Sequence, residues 1–268
     1  MSPSSGGESS DIRVGVIGKG ALGGMIANGI SGGRLPGLSF SSAISSSGYS
    51  LDSFLLSCDV IVEAAGRDAL ASLGPTVIAQ GKTLVILSVG ALVENVLYEK
   101  LSKGPGGLIL SSGAIGGLDL LRSLQISGTL ENVMLRTEKR PSSLIQPWMS
   151  SDLRSELQSE VTEVEVFNGT ARDAVNLFPS NANIAAAISI CGLGFDETNV
   201  ILVAKPNTTK TRHLINIGSR IGVYQLEFVN EVSAANPKSS QLAAYSVLAE
   251  LVRLASTGNF FEKSERKR

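Results

Sequence analysis

The stretch Val14-Gly15-Val16-Ile17-Gly18-Lys19-Gly20-Ala21-Leu22-Gly23 constrains the fold of this chain more than any other. An apolar strand runs straight into Gly-x-Gly-x-x-Gly and then into a helical pattern, the order that a dinucleotide-phosphate turn requires. In such a turn Gly18 makes the tight bend, Gly20 lets the backbone approach a pyrophosphate, and Gly23 lets the helix close on its strand. The first helical N–H groups, around Ala21 and Leu22, then face the phosphates. With 29 glycines in the chain the spacing alone is a weak signal. Its place between a strand and a helix separates it from an ordinary tight turn.

The alternation continues. Apolar runs at Arg13 to Ile17, Leu38 to Ile44, Val60 to Ala64, Thr83 to Leu87 and Leu108 to Ser111 read as strands. Helical spacing of apolar residues marks Ala21 to Ile30, Arg67 to Ala79 and Val93 to Leu101. Val60-Ile61-Val62 and Leu84-Val85-Ile86-Leu87 are continuously apolar, as strands buried on both faces should be. The expected fold is therefore α/β, with a doubly wound parallel sheet over residues 11–112. Past Gly113 the texture changes. A helix from Leu118 to Leu124 precedes strand-like stretches at Val133 to Arg136, Val164 to Phe167, Val200 to Val203, Leu214 to Ile217 and Tyr224 to Val232. Alternation in the last of these predicts an antiparallel or mixed sheet with one packed face, in a second α/β (α+β-like) domain over residues 113–235. Pro179 should split the helical region Arg172 to Cys191. A final helix over residues 236–257, capped by Asn236 with Pro237 at its first position, is expected to pack on the first domain. Residues 1–10 read as a disordered leader without the basic residues of a targeting signal, and residues 258–268 as a charged tail.

Composition narrows the partners. Twenty-three basic and 24 acidic side chains leave no general pull toward nucleic acid or an anionic membrane, so a small ligand is the first expectation. The longest apolar run, Ala182 to Phe195, falls short of the ~20 residues a membrane span needs. Cys58 and Cys191 are the only cysteines, so a disulfide framework and a Cys/His zinc site are both unavailable. No metal-ligand spacing, phosphate-loop lysine or Gly-x-Ser-x-Gly nucleophile is present.

Few residues are suited to chemistry. His213 is the single histidine; with an ordinary pKa of ~6.5 it is the one side chain ready to exchange protons near neutrality. Ile215 and Ile217 alternate behind it, as if a strand carried its ring to a cleft, and Arg212 adjoins it. A strand-end histidine without a role is the competing reading. Ser88-Val89-Gly90-Ala91-Leu92 follows the fourth strand, where small residues admit a ribose and nicotinamide. Gly113-Ala114-Ile115-Gly116-Gly117 stands at the expected domain junction, as a hinge, a ligand contact or both. Asn181 and Asn183 follow Pro179 and offer amides, or simply cap a helix. Glu63 reads as a strand-end polar group, and Arg136, Lys139 and Arg140 as a solvated basic face. Lys139 and Arg140 are assigned no role.

Taken together these segments resemble the L-aspartate dehydrogenase family from Ile12 to about Ala255. The matching stretches are the glycine turn, Val62-Glu63-Ala64-Ala65, SVGAL at 88–92, SGAIGGLD at 112–119, FPSNANIAA at 178–186, GLGFD at 192–196, the His213 strand and NPKSS at 236–240. The resemblance implies a Rossmann domain, a catalytic α/β domain that also dimerises, a cytoplasmic homodimer, and oxidation of L-aspartate by NAD or NADP to iminoaspartate. That product feeds NAD biosynthesis or hydrolyses to oxaloacetate and ammonia. It also aligns His213 with the family's catalytic histidine and Ala114 and Asn183 with its nicotinamide contacts; joined to the residue readings above, the expected cofactor site is Gly18, Gly20, Ala21, Leu22, Gly23, Ala65, Ser88, Ala114 and Asn183, and the expected substrate site Asn181, Asn183 and His213. Two readings stay open beside it: a related reductase of another small substrate, and a dinucleotide-binding sensor without turnover. Between Arg34 and Asp52 the chain has neither the acid that selects NAD nor the arginine that selects NADP, only serines 45 to 47, which predicts weak discrimination.

Overall fold

The computed structural model describes residues 11–45, 51–179, 182–231 and 240–265, with side chains to 256. Two compact units emerge: Met1–Ile86 with Leu101–Ile109 and Ala244–Arg268, and Leu87–Lys100 with Leu110–Ala243. No described helix is long and apolar enough to cross a membrane.

In the first unit β1 (Ile12–Ile17), α1 (Ala21–Ser31), β2 (Leu38–Ile44), α2 (Leu51–Leu56), β3 (Val60–Glu63), α3 (Arg67–Ala79) and β4 (Thr83–Ile86) succeed one another. A 3-10 turn at Val89–Val93 and α4 (Asn95–Ser102) lead to β5 (Leu108–Leu110). The sheet order is β2-β1-β3-β4-β5, and β1 pairs in parallel with both β2 and β3, as β3 does with β4. Val14, Val16, Ile61, Val62, Leu84, Val85 and Ile86 are all buried, which is why these strands lack polar alternation. The doubly wound parallel sheet expected from sequence is what forms. The expected helix, Val93 to Leu101, forms as α4 with its start two residues later, behind a 3-10 turn that was not expected, and α2 carries no signal long enough to read. The last helix, α9 (Leu242–Glu265), groups with this unit; a Cβ on Gly29 of α1 would lie 2.6 Å from Leu248 Cδ1. Asn236 and Pro237 lie outside the described residues.

The second unit contains α5 (Leu118–Ile126), β6 (Leu130–Lys139), α6 (Ser151–Ser159), β7 (Val164–Thr170), α7 (Ala171–Leu177), α8 (Asn183–Cys191), β8 (Thr198–Ala204), β9 (Lys210–Ser219) and β10 (Gly222–Glu231). Its sheet order, β10-β9-β6-β8-β7, is mixed, as expected: β6 and β8 run parallel, and the other neighbours antiparallel. Helices α5, α7 and α8 cover one face, burying Val133, Leu135, Val200, Leu202, Ile215 and Ile217. Phe178 ends α7 fully buried, edge-on to Trp148 and Phe167, and the helical region breaks there. α6 was not anticipated. Its start is nonetheless specified by Ser150, whose side chain accepts from the Leu153 N–H.

The principal difference from expectation lies in β6. Read from sequence it spans Val133 to Arg136, yet it continues to Lys139. Thr137-Glu138-Lys139 looks like loop because three polar residues end the apolar alternation. The strand persists because its two faces satisfy them separately, as described next.

Candidate active site

The glycine turn occupies the end of β1 in the first unit. Gly18 has φ +117, and a Cβ there would stand 2.6 Å from the Ala64 carbonyl oxygen and 2.9 Å from the Ala65 nitrogen. No L side chain fits. A Cβ on Gly23 would collide with the Gly18 carbonyl, so the first turn of α1 can lie against the end of β1 only with glycine there. Gly20 differs. It is the N-cap of α1 without any side-chain cap, and a Cβ there would meet nothing within 4 Å. Lys19, Gly20 and Ala21 are exposed, and Leu22 is partly so. This cradle fits a phosphate group: open space lies before Gly20, and the start of α1 directs backbone N–H groups out of its end. Ala65 is held beside it, since the Glu63 carboxylate accepts from the N–H groups of Ala65 and Gly66, each at 2.8 Å. Glu63 is therefore a buried fastener of the turn between β3 and α3. Of the serines after β2, Ser45 is described, whereas Ser46 and Ser47 lie outside the described residues.

The remaining predicted residues fall in the second unit. Ser88 is buried at the start of the 3-10 turn. Asn183 opens α8, and its Oδ1 accepts from the Gly90 N–H at 3.0 Å, which fixes the orientation of the amide. Close packing of the two segments needs a small residue, since a Cβ on Gly90 would lie 3.1 Å from Ala182 Cβ. Ala114 is buried, and its carbonyl accepts from Asn230 Nδ2 at 2.9 Å. Asn181 lies outside the described residues.

His213 sits on β9 opposite Thr137 of β6 and Phe228 of β10. Its Nδ1 is 2.9 Å from Thr137 Oγ1. Paired residues share a sheet face, so His213, Thr137 and Phe228 form a row, and Gly116 of the Ala114 segment packs against the Phe228 ring. Lys139, two residues beyond Thr137, lies on the same face. All of these stand at one end of the sheet, where β6 and β10 finish and β9 begins. His213 is 4% and Lys139 9% exposed. Burial, joined by the Lys139 charge, lowers the His213 pKa to about 3, and burial lowers that of Lys139 to about 8. The ring is thus neutral at all ordinary pH values, not poised near neutrality as its unperturbed chemistry predicts.

Arg212, adjacent to His213, points to the opposite face, as alternation along a strand demands. There Arg136, Arg212 and Lys205 surround Glu138 at 3.1, 3.1 and 3.2 Å, and Arg212 also pairs with Glu227 at 2.6 Å. Burial pushes the Glu138 carboxyl up, but the bonds from Arg136 and Lys205 and the nearby charges outweigh it, so the group titrates below the usual range. The basic cluster read as one solvated face is therefore divided. Arg136 joins the Glu138 network, Arg140 is exposed, and Lys139 is buried beside His213. Thr137 and Lys139 were missed by sequence reasoning. The available signal was their parity: Val133, Leu135, Thr137 and Lys139 are spaced as one strand face. Among the described residues no group of three or more His, Cys, Asp or Glu is placed to hold a metal.

Known proteins share this architecture and sequence. The family described as aspartate dehydrogenase, C-terminal, matches residues 119–254, and the NAD-binding domain of homoserine dehydrogenase matches residues 43–104. An L-aspartate dehydrogenase of Nitrosopumilus maritimus is 37% identical over 204 residues, covering 74% of each chain. One from Methanosarcina mazei is 32% identical over 263 residues, covering 91% of this chain and 97% of its own. The crystal structure of aspartate dehydrogenase from Thermotoga maritima superposes with a TM-score of 0.68 at 25% identity, over 91% of this chain and 96% of that one. A hyperthermophilic archaeal homoserine dehydrogenase shares the fold, with a TM-score of 0.58 at 9% identity. On these matches the chain belongs to the aspartate dehydrogenase family.

Proposed function

We propose that this protein oxidises L-aspartate to iminoaspartate with NAD or NADP as hydride acceptor. The observation that carries the reading is the buried His213–Thr137 pair at the sheet end that also holds Lys139 and the Ala114 segment, in a chain of this family. When bound, the nicotinamide supplies the acceptor carbon for the hydride lost from Cα. Gly18, Gly20, Ala21, Leu22, Gly23 and Ala65 are assigned to the pyrophosphate end of the dinucleotide, and Ser88, Ala114 and Asn183 to its nicotinamide end. Asn181 and Asn183 are assigned to substrate.

The chemistry asked of the protein is one proton. The substrate ammonium must lose a proton before its nitrogen lone pair can form C=N as the Cα–H electron pair departs. His213 is the acceptor. The bond to Thr137 Oγ1 fixes the ring plane, and in the tautomer whose Nδ1–H donates to that hydroxyl the lone pair available to the substrate is on Nε2. Thr137 is thus a positioning residue. Its burial places the pair away from water, where a misaligned base would have no solvent substitute.

The working form is proposed to be a cytoplasmic homodimer, a setting that suits two unbridged, buried cysteines. The open face of the second sheet supports the dimer: Val223 and Val229 are exposed there, beside the Arg212–Glu227 and Arg136–Glu163 pairs. A two-fold interface sets the same patch of each subunit against its copy, and a patch carrying apolar area and charges of both signs has the groups to meet itself in that way. Mixing the protein with L-aspartate and each dinucleotide, and following reduced nicotinamide by its ultraviolet absorbance, tests the activity. Dinucleotide binding by calorimetry without any reduction would leave a binding protein and sink the enzyme reading.

A further inference from the structure

We propose that Asn230 is a positioning residue for the nicotinamide end of the cofactor: its amide ties the Ala114 segment to β10, the strand beside His213, and so sets the nicotinamide against the base. The inference rests on the assignment of Ala114 to the nicotinamide made above, and adds the residue that holds Ala114 in place. On the half-buried face of β10, Tyr224, Leu226 and Phe228 are succeeded by Asn230. An amide there breaks an apolar alternation, and asparagine is a poor strand former. What the residue gains is a specific partner: its Nδ2 donates to the Ala114 carbonyl at 2.9 Å. A carbonyl oxygen can only accept, so it is the amide nitrogen that must face it.

The segment then follows the same strand. Gly116 packs on the Phe228 ring, where a Cβ would lie 3.5 Å from Cε1, and a Cβ on Gly117 would collide with Leu226 Cδ1. Residues 114, 116 and 117 thus meet 230, 228 and 226 in turn, along the face where Phe228 pairs with His213 of β9. The two glycine contacts are apolar and tolerate a small slide of the segment. The hydrogen bond does not, because its distance and angle fix the Ala114 peptide plane and its place along β10. The chemistry needs that fixity. Hydride leaves Cα while the adjacent nitrogen gives its proton to His213, so the acceptor ring and the base must keep register. A displacement of ~1 Å costs on the order of 10²-fold in rate. Asn230 refers both to one pair of strands.

The test measures, by calorimetry, the affinities of wild type, Asn230→Leu and Asn230→Gln for NADH and for ADP-ribose, the same nucleotide without its nicotinamide, together with kcat for L-aspartate. Asn230→Leu keeps the volume and loses the donor. It is expected to weaken NADH binding by about 3- to 10-fold, the worth of one hydrogen bond, and kcat by about 10- to 100-fold, with ADP-ribose affinity held within about twofold. Asn230→Gln, whose amide still donates, should recover part of both losses. A loss shared equally by NADH and ADP-ribose, or no loss of either in a folded Asn230→Leu protein, overturns the proposal. So does a wild type that binds the two ligands alike. If Asn230→Leu shows no melting transition, Asn230→Asp, which keeps the shape but has no donor at neutral pH, decides the matter on the same readouts. Absence of turnover in the wild type is a separate result: it removes the activity proposed above, and the ratio of NADH to ADP-ribose affinity still decides the role of Asn230.

Discussion

Between neutrality and about pH 5 the His213 ring should make its own, separable contribution to acid destabilisation of this protein. His213 titrates at about 3 in the folded state and at ~6.5 in the unfolded chain. Between those values the unfolded state binds a proton that the folded state refuses, so stability falls as pH drops through the unfolded pKa. From about pH 7 to about pH 5 the unfolded histidine goes from about one-quarter to almost fully protonated, and the excess of ~0.7 proton averaged over two pH units, at ~1.36 kcal/mol per unit, brings the loss to ~2 kcal/mol. For a chain of this size that is a fall of roughly 4–8 °C in melting temperature. Carboxylates titrate in the same interval, so the control is His213→Asn, whose amide retains a partner for Thr137 while removing the titration. Thermal melts of both proteins at both pH values give the difference of differences. Wild type should lose ~2 kcal/mol more than the variant, and because the chain has one histidine no other imidazole contributes. Equal losses would mean that His213 accepts a proton freely in the folded state, and the buried, neutral ring on which the mechanism depends would be refuted.

Three further outcomes are expected. Gly20→Val should fold, since its side chain enters open space, yet lose dinucleotide affinity in calorimetry, because that space is assigned to the pyrophosphate. Gly18→Ala should instead lower stability by roughly 1–3 kcal/mol in denaturant melts, through its positive φ and the approach of Ala64; an unchanged midpoint would refute the strain. The ratio of kcat/KM for NAD and NADP should stay below ~10³ in either direction, about 4 kcal/mol, as the absence of an acid or arginine between Arg34 and Asp52 predicts.

Much of the fold was legible because burial on both faces writes itself into sequence as unbroken apolar runs. Val60-Ile61-Val62 and Leu84-Val85-Ile86 need no context to be read as buried parallel strands, and β2 and α3 were bounded to the residue. The glycine turn was legible for a different reason: Gly18 and Gly23 stand where a Cβ would strike backbone, so the residue type records the geometry. The second half was harder. β6 ends in Thr137-Glu138-Lys139, whose hydrophilicity suggests loop until the cross-strand partners are known. Glu138 is stabilised by cations from β6, β9 and the residue after β8, and no local window contains all of them. The same limit hid Lys139, whose burial is a property of the sheet rather than of its neighbours in sequence. His213 was found because it is unique; that its pKa would be depressed was not, since the depression comes from burial and from a lysine on another strand.

The most direct measurement is turnover of L-aspartate by wild type and His213→Ala with each dinucleotide, alongside dinucleotide affinity. The account predicts reduction of NAD or NADP by wild type, and a drop in kcat of ~10²-fold or more in the variant with little change in dinucleotide affinity. Equal turnover by the two proteins would contradict it.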